Sequence, residues 1–287
     1  MKQSRLAQRK LGIKPTKKEG KSYLKFILFL AFIFIICLLI VIWFLGFGSR
    51  WDGKSKFAVV RESLNGDALV QILDPINSSV TNLTIPGSTE VQAARQLGTW
   101  KLSSITKLGK DKNEEKDFLK NTIIKSFNFP IDNSNDLSFI DQLRIKLFLL
   151  TLSNTSQINL NLEDTDYLTR AQLVDGSLGF EIKESIPTRV ESLFDEDLGK
   201  NMTVTIINST GSREEGNMVR KVVEVLGLNI TSIQNTDKQN FDCVIKSNNN
   251  QLALKIAKIF DCNINLGMPA NNFDIEINLG TNFVQRF

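Results

Sequence analysis

Residues 202–233 read MTVTIINSTGSREEGNMVRKVVEVLGLNITSI. Thr203 to Asn208 is a β-branched run ending in polar turn residues with Gly211, the pattern of a strand followed by a tight turn. The next segment places Met218, Val219, Val222, Val223 and Leu226 at helical spacing on one face, and Gly227 is a natural stop. LNITSI then reads as a second strand. Downstream, FDCVIK predicts a strand, QLALKIAKIF a helix and DIEINL a last strand. In that last strand Ile275, Ile277 and Leu279 alternate inward while Asp274, Glu276 and Asn278 face outward. The order β-α-β-β-α-β predicts a two-layer α/β domain over 202–287, with its helices on one face of a sheet.

Working outward, residues 57–195 predict another α/β domain. FAVVRE, DALVQILD and VTNLTIP read as strands, the last two joined by the turn residues of DPINSS. DFLKNTIIKSF reads as a helix with Phe118, Ile123 and Phe127 near one face. In SFIDQLRIKLFLLTL, Phe139, Leu143, Leu147 and Leu150 recur at helical spacing, and their density predicts a buried core helix. GKDKNEEKD and PIDNSND read as solvated loops, and INLNLE and LGFEI as further strands.

From Phe26 to Phe47 no residue is charged. Those 22 positions give about 33 Å of helix, enough for the hydrocarbon core of a bilayer. Tyr23 at one end and Trp43 and Trp51 at the other suit interfacial aromatic belts. Residues 1–25 carry nine basic residues against the single acid Glu19. By the positive-inside rule this tail is cytoplasmic, 26–47 is a single-pass transmembrane helix, 48–56 a linker, and both later domains are extracytoplasmic. A cleaved signal peptide fits less well, because the apolar run is long and its exit, LGFGSRWDG, has no small-residue cleavage site.

Composition narrows the chemistry. The 287 residues include no histidine and three cysteines, which removes Ser-His-Asp, Cys-His and His-metal mechanisms and leaves too few thiolates for a structural zinc site. No metal site is expected, and any enzyme must run on carboxylates, Lys or Arg. Beyond residue 25 the balance is 26 basic to 30 acidic residues, with no stripe for nucleic acid. Cys243 and Cys262 are spaced for a disulfide, since a strand rises and a helix of similar length descends between them. Two buried free thiols is the alternative, and from sequence alone it weighs more.

Gly211 and Gly216 have phosphate-loop spacing, but Asn217 and Met218 stand where that motif needs Lys and Ser or Thr. Glu214 and Glu215 instead complement the helix dipole. The carboxylate pairs Asp164/Asp166 and Asp195/Asp197 read as solvated surface. Six Asn-x-Ser/Thr sequons, at Asn77, Asn82, Asn154, Asn201, Asn208 and Asn229, reflect an Asn-rich composition.

VTIINSTG before a helix and the terminal DIEINLGTNF resemble the LytR C-terminal domain of the LytR-CpsA-Psr cell-envelope proteins, over Met202–Phe283. DALVQILDPINSSVTNLTIP, GTWKLSSITKLGK and DFLKNTIIKSFNFPID are similar to segments of that family's catalytic domain. The resemblance implies that Asp67 would help hold a divalent cation while arginines grip a polyprenyl pyrophosphate whose glycopolymer is passed to the wall. Gly87 and Ser88 replace the family's Arg-Asp, however, and Asn65 and Gly66 replace the arginine before its Asp. Neither can neutralise a pyrophosphate as a guanidinium does. The expectation is therefore a bacterial envelope protein with a degenerate catalytic domain and Asp67 as a vestige. It would have no cofactor and would bind peptidoglycan, wall glycopolymer or envelope proteins. A magnesium-dependent phosphotransferase using Arg61, Arg95 or Lys101, and a scaffold of division or secretion machinery, are the alternatives.

Overall fold

The computed structural model describes residues 20–47, 50–113, 117–134, 137–153, 156–195, 202–248, 250–265, 267–269 and 273–287. The basic tail up to residue 19, part of each predicted solvated loop, Asp197 and the sequons at Asn154 and Asn201 lie outside them. The chain divides into two compact units, Met1–Gly48 and Ser49–Phe287.

The first unit contains α1 (Gly20–Phe47). Its described side chains, Tyr23, Lys25–Leu39 and Val41, are all exposed. Here the membrane expectation is corrected: among the described residues no helix is long and apolar enough to cross a membrane. The side chains of Ile40 and of residues 42–47, Trp43 among them, lie outside those described. The single-pass anchor, and the localisation and topology drawn from it, are withdrawn.

The second unit is mixed α/β. Its strands are β1 (Phe57–Glu62), β2 (Ala68–Asp74), β3 (Ser79–Ile85), β4 (Glu90–Gln92), β5 (Thr99–Lys101), β6 (Gln157–Asn161), β7 (Leu168–Gln172), β8 (Leu178–Ile182), β9 (Thr203–Asn208), β10 (Asn229–Asn235), β11 (Cys243–Ser247), β12 (Asn263–Asn265) and β13 (Ile275–Leu279). Its helices are α2 (Ile105–Asp111), α3 (Phe118–Phe127), α4 (Phe139–Thr151), α5 (Thr188–Glu191), α6 (Arg213–Val225), α7 (Asn250–Phe260) and α8 (Thr281–Val284).

In the first half the sheet order is β1-β2-β3-β6, antiparallel as far as β3, with β6 parallel to β3. The β2–β3 turn is closed by Asp74, whose carboxylate accepts from the Asn77 main-chain N–H at 3.0 Å and from its amide at 2.8 Å. One sheet face carries Ala58, Val60, Val70, Ile72, Leu83 and Ile85 into the main core. The other carries Phe57, Leu73 and Val80 into a smaller cluster with Trp51, capped by Ile145 and Phe148 of α4.

Trp51 is thus part of the fold and not an interfacial residue at a bilayer. It is 2% exposed, stacks on Phe57 with centroids 5.7 Å apart, and its indole N–H donates to the Ser55 carbonyl at 2.8 Å. The segment read as a linker is tied down as well. Asp141 accepts from the main-chain N–H of Arg50 at 2.9 Å and of Trp51 at 3.0 Å.

Helix α4 is a second correction. Phe139, Leu143, Leu147 and Leu150, expected in the core, are all exposed, Leu150 at 81%. The helix docks through its opposite side, where Ile145 and Phe148 pack and the Arg144 guanidinium donates to the Trp51 carbonyl at 2.6 Å.

The second half has a sheet of order β10-β9-β13-β11-β12, in which only β11–β13 is antiparallel. Val204, Ile206, Ile245, Ile275, Ile277 and Leu279 form its helix-facing layer, all fully buried with Val219, Val222, Val223 and Ile256. Glu276, expected outward, is on the opposite face yet only 1% exposed, because β13 is central and its carboxylate accepts from Lys246 Nζ at 2.9 Å and the Asn278 amide at 2.8 Å. Cys243 and Cys262 are joined by a disulfide with Cα atoms 4.9 Å apart, which ties the start of β11 to the exit of α7.

The two halves share one hydrophobic cluster, and ions reinforce it. Lys120 of α3 meets Asp261 at 2.7 Å. Lys255 of α7 lies 3.7 Å from Asp132. Burial drives the Asp132 carboxyl upward, and Lys255 and its accepted Ala58 N–H pull it back. Phe287 is fully buried, and its main-chain oxygen accepts from the Arg95 N–H at 2.9 Å.

Candidate functional site

Where these halves meet, a cleft of about 530 Å³ opens, within the usual range of ligand sites, about 300–1,000 Å³. From the first half, β4 contributes Glu90 and Gln92, the end of α3 Lys125 and Asn128, and the end of β8 Glu181 and Ile182, followed by Lys183 and Glu184. From the second half, the start of α6 contributes Glu214, Glu215, Met218 and Lys221, and Phe287 completes the wall.

The wall is built rigidly. Ser126 Oγ accepts from the Gln92 N–H at 3.0 Å and donates to the Gln92 carbonyl at 3.2 Å, which fixes β4 to α3. Asn128 closes α3 in the left-handed region at φ 55°, a conformation asparagine tolerates better than most residues. Tyr167 underpins that corner, its hydroxyl donating to the Phe127 carbonyl at 2.9 Å, and burial raises its phenol above the ordinary value.

On the facing side, Asn208 orients α6. Its amide donates to the Ser212 carbonyl at 2.7 Å and to Asn235 at 2.9 Å, while its oxygen accepts from Thr210 Oγ1 at 2.6 Å. Ser212 Oγ accepts from the Glu214 N–H at 3.2 Å, capping the helix. The turn read as a phosphate-loop look-alike is therefore fully used in holding the helix start.

Lys125 and Glu215 give the cleft its electrostatics. Lys125 Nζ donates to the Phe287 main-chain oxygen at 2.5 Å. Its ammonium is pushed below the ordinary lysine value by burial, an effect opposed by the nearby Glu215 and Glu214 carboxylates. Glu215 is 5% exposed, and its Oε2 has no hydrogen-bond partner. Sequence reasoning assigned Glu215 only to the helix dipole. It lies three and four residues before Met218 and Val219, on the apolar stripe itself, and a carboxylate at a core-facing position is the signal that marks it.

The residues weighed from sequence for cation or pyrophosphate binding lie elsewhere. Asp67 Oδ1 accepts from the Gly87 N–H at 2.7 Å, linking two chain segments. A Cβ on Gly87 would stand 2.5 Å from the Gly66 carbonyl oxygen, so no arginine fits where the family has one. Lys101 is bound to Asp175 at 2.7 Å, which holds that carboxyl far below its ordinary value through the Lys101 and Ser177 hydrogen bonds. Arg95 opens on a separate hollow beside Thr210 and Lys238, and Arg61 sits exposed on β1. No group of three or more acidic or cysteine side chains among the described residues is placed to hold a metal ion. The residues around Asp67 do not fit the divalent cation that the family resemblance implies.

Fold and cleft together define a mixed α/β protein with a polar groove between two sheet-bearing halves. No family model matches the chain, and no curated protein matches it. Among solved structures it is similar to the transcriptional regulator yvhJ from Bacillus subtilis, at 13% identity over 49% of this chain and 94% of that one, with a TM-score of 0.25. That score is too low to bear on fold or function.

Proposed function

We propose that this chain is a non-catalytic binding protein for wall polymer, held in the cleft between its two halves. The observation that carries this reading is the contrast between two places. The groove is built, polar and open, whereas Asp67, the one acid the family resemblance points to, is engaged by the main chain of Gly87. Cys243 and Cys262 are bonded to each other, so neither of these two is available as a nucleophile. A disulfide persists in oxidising surroundings, which supports an encounter with wall material.

The test is sedimentation of the purified full chain with isolated peptidoglycan and wall glycopolymer. Saturable retention that survives Asp67→Ala is expected. Protein left wholly in the supernatant, or retention that vanishes with Asp67→Ala and requires magnesium, would reverse the reading.

A further inference from the structure

We infer that the cleft recognises a primary ammonium group on its ligand, with Glu215 as the anchoring acceptor. The inference rests on the wall-polymer reading and names the chemistry it selects.

Three observations converge. First, Glu215 is a carboxylate more than nine-tenths buried whose Oε2 has no partner, and it lines the groove. Leaving a buried acceptor unmade is costly, so such a group persists where something else fills it. An acceptor-only carboxylate calls for an N–H or O–H donor. Second, the walls hold five glutamates and three lysines. That balance repels a phosphate-bearing polyanion and favours a cation, and a charge-assisted N⁺–H···O⁻ bond is the strongest contact available there. Third, Met218, Ile182 and Phe287 interrupt the charged lining and give apolar surface for the carbon skeleton that carries the ammonium.

Lys125 does not serve as the missing donor. Its Nζ is directed at the Phe287 main-chain oxygen and acts on Glu215 and Glu214 through the field. Glu215 Oε2 thus keeps no hydrogen-bond partner although an ammonium is nearby.

The ammonium has two sources in wall material, a de-N-acetylated amino sugar and a lysine-type amine of a peptide. Calorimetric titration of the full chain with chitosan tetrasaccharide, a lysine-bearing tripeptide and their N-acetylated counterparts separates them. At least one free-amine ligand is expected to bind about tenfold or more tightly than its acetylated form, and Glu215→Gln to abolish that preference. The variant keeps the side-chain shape, and a cooperative thermal melt shows that it folds. A purely structural glutamate would leave the preference for the free amine unchanged in Glu215→Gln.

Equal affinity for free and acetylated ligands, or a preference that survives Glu215→Gln, overturns the inference. If wall polymer is retained while the preference is missing, the ammonium assignment fails and the wall-polymer reading stands. If amines bind through Glu215 while wall polymer is not retained, the reading fails and the site stands.

Discussion

Helices α4 and α6 are each 13 residues long, and each begins on a serine that accepts a hydrogen bond from the first turn, yet they meet the fold in opposite ways. In α6 the apolar residues fall on one side, with Glu215 the single acid among them, and charged or amide residues on the other, so only one orientation buries the grease while burying a single charge. Met218, Val219, Val222 and Val223 are accordingly inside. Helix α4 has leucine, isoleucine or phenylalanine on nearly every side, and its one fully buried residue is Asp141. Which way it faces is decided by its polar residues. Asp141 accepts two main-chain N–H groups from Arg50 and Trp51, and Arg144 reaches the Trp51 carbonyl. The stripe Asp141, Arg144, Ile145, Phe148 turns inward, leaving Phe139, Leu143, Leu147 and Leu150 outside. Apolar density marks a helix as attractive to some core. Contrast between faces is what assigns the face.

The largest expected effect breaks the comparison if it fails. Val219 is fully buried in α6, so Val219→Asp should cost more than about 4 kcal/mol by placing an unpaired charge in the core. Leu147→Asp on α4, at a position 54% exposed, should stay within about 0.5 kcal/mol. Urea unfolding of the two variants measures both, and similar losses would mean that the α4 stripe is buried after all. Next in size is Asp141→Ala. It removes the acceptor for Ser138, Arg50 and Trp51 together and should cost about 2–4 kcal/mol in the same experiment. An effect below about 1 kcal/mol would show that apolar packing, and not this carboxylate, orients α4.

The same contrast explains what was legible before the structure. Elements with a sharp period were readable: α6 by its stripe, α3 by Phe118, Ile123 and Phe127, all at or below 1% exposure, and β13 by strict alternation. Short pairings such as β4–β5, formed over three residues each, carry no period to read. Trp51 was illegible because most of its partners, Leu73, Val80 and Phe148, lie far along the chain, and tryptophan suits a bilayer boundary and a core equally. The candidate site was the least legible part. Its walls come from β4, α3, β8 and α6, and a groove between distant segments has no local pattern. Glu215 was the exception that sequence could have supplied, as an acid on an otherwise apolar stripe.

Smaller effects sharpen the comparison at the helix ends. Ser212→Ala removes a single cap from α6 and should cost about 1 kcal/mol. Ser138→Ala should cost slightly more, because Ser138 takes part in a reciprocal box with Asp141, its Oγ also donating to that carboxylate at 2.8 Å. Thermal melts of the pair, compared at one pH, read the difference. A cheaper Ser138→Ala would mean that Asp141 holds the start of α4 without its serine.

The smallest effect is a titration. Burial holds Lys125 below the ordinary lysine value, and Glu215 is the leading influence pulling it back up. Between the folded value and 10.5 the unfolded chain binds the proton more readily than the folded one. Stability must therefore rise with pH across that window, and below it the burden of burying the ammonium is fully present. Glu215→Gln removes the leading compensating charge, so the Lys125 titration should move further down and the window should widen toward neutral pH. Carbon-13 NMR of the Lys125 ε-methylene, followed from pH 7 to 12 in both proteins, reads the shift directly. An unchanged titration would mean that the Glu215 carboxylate is turned away from Lys125.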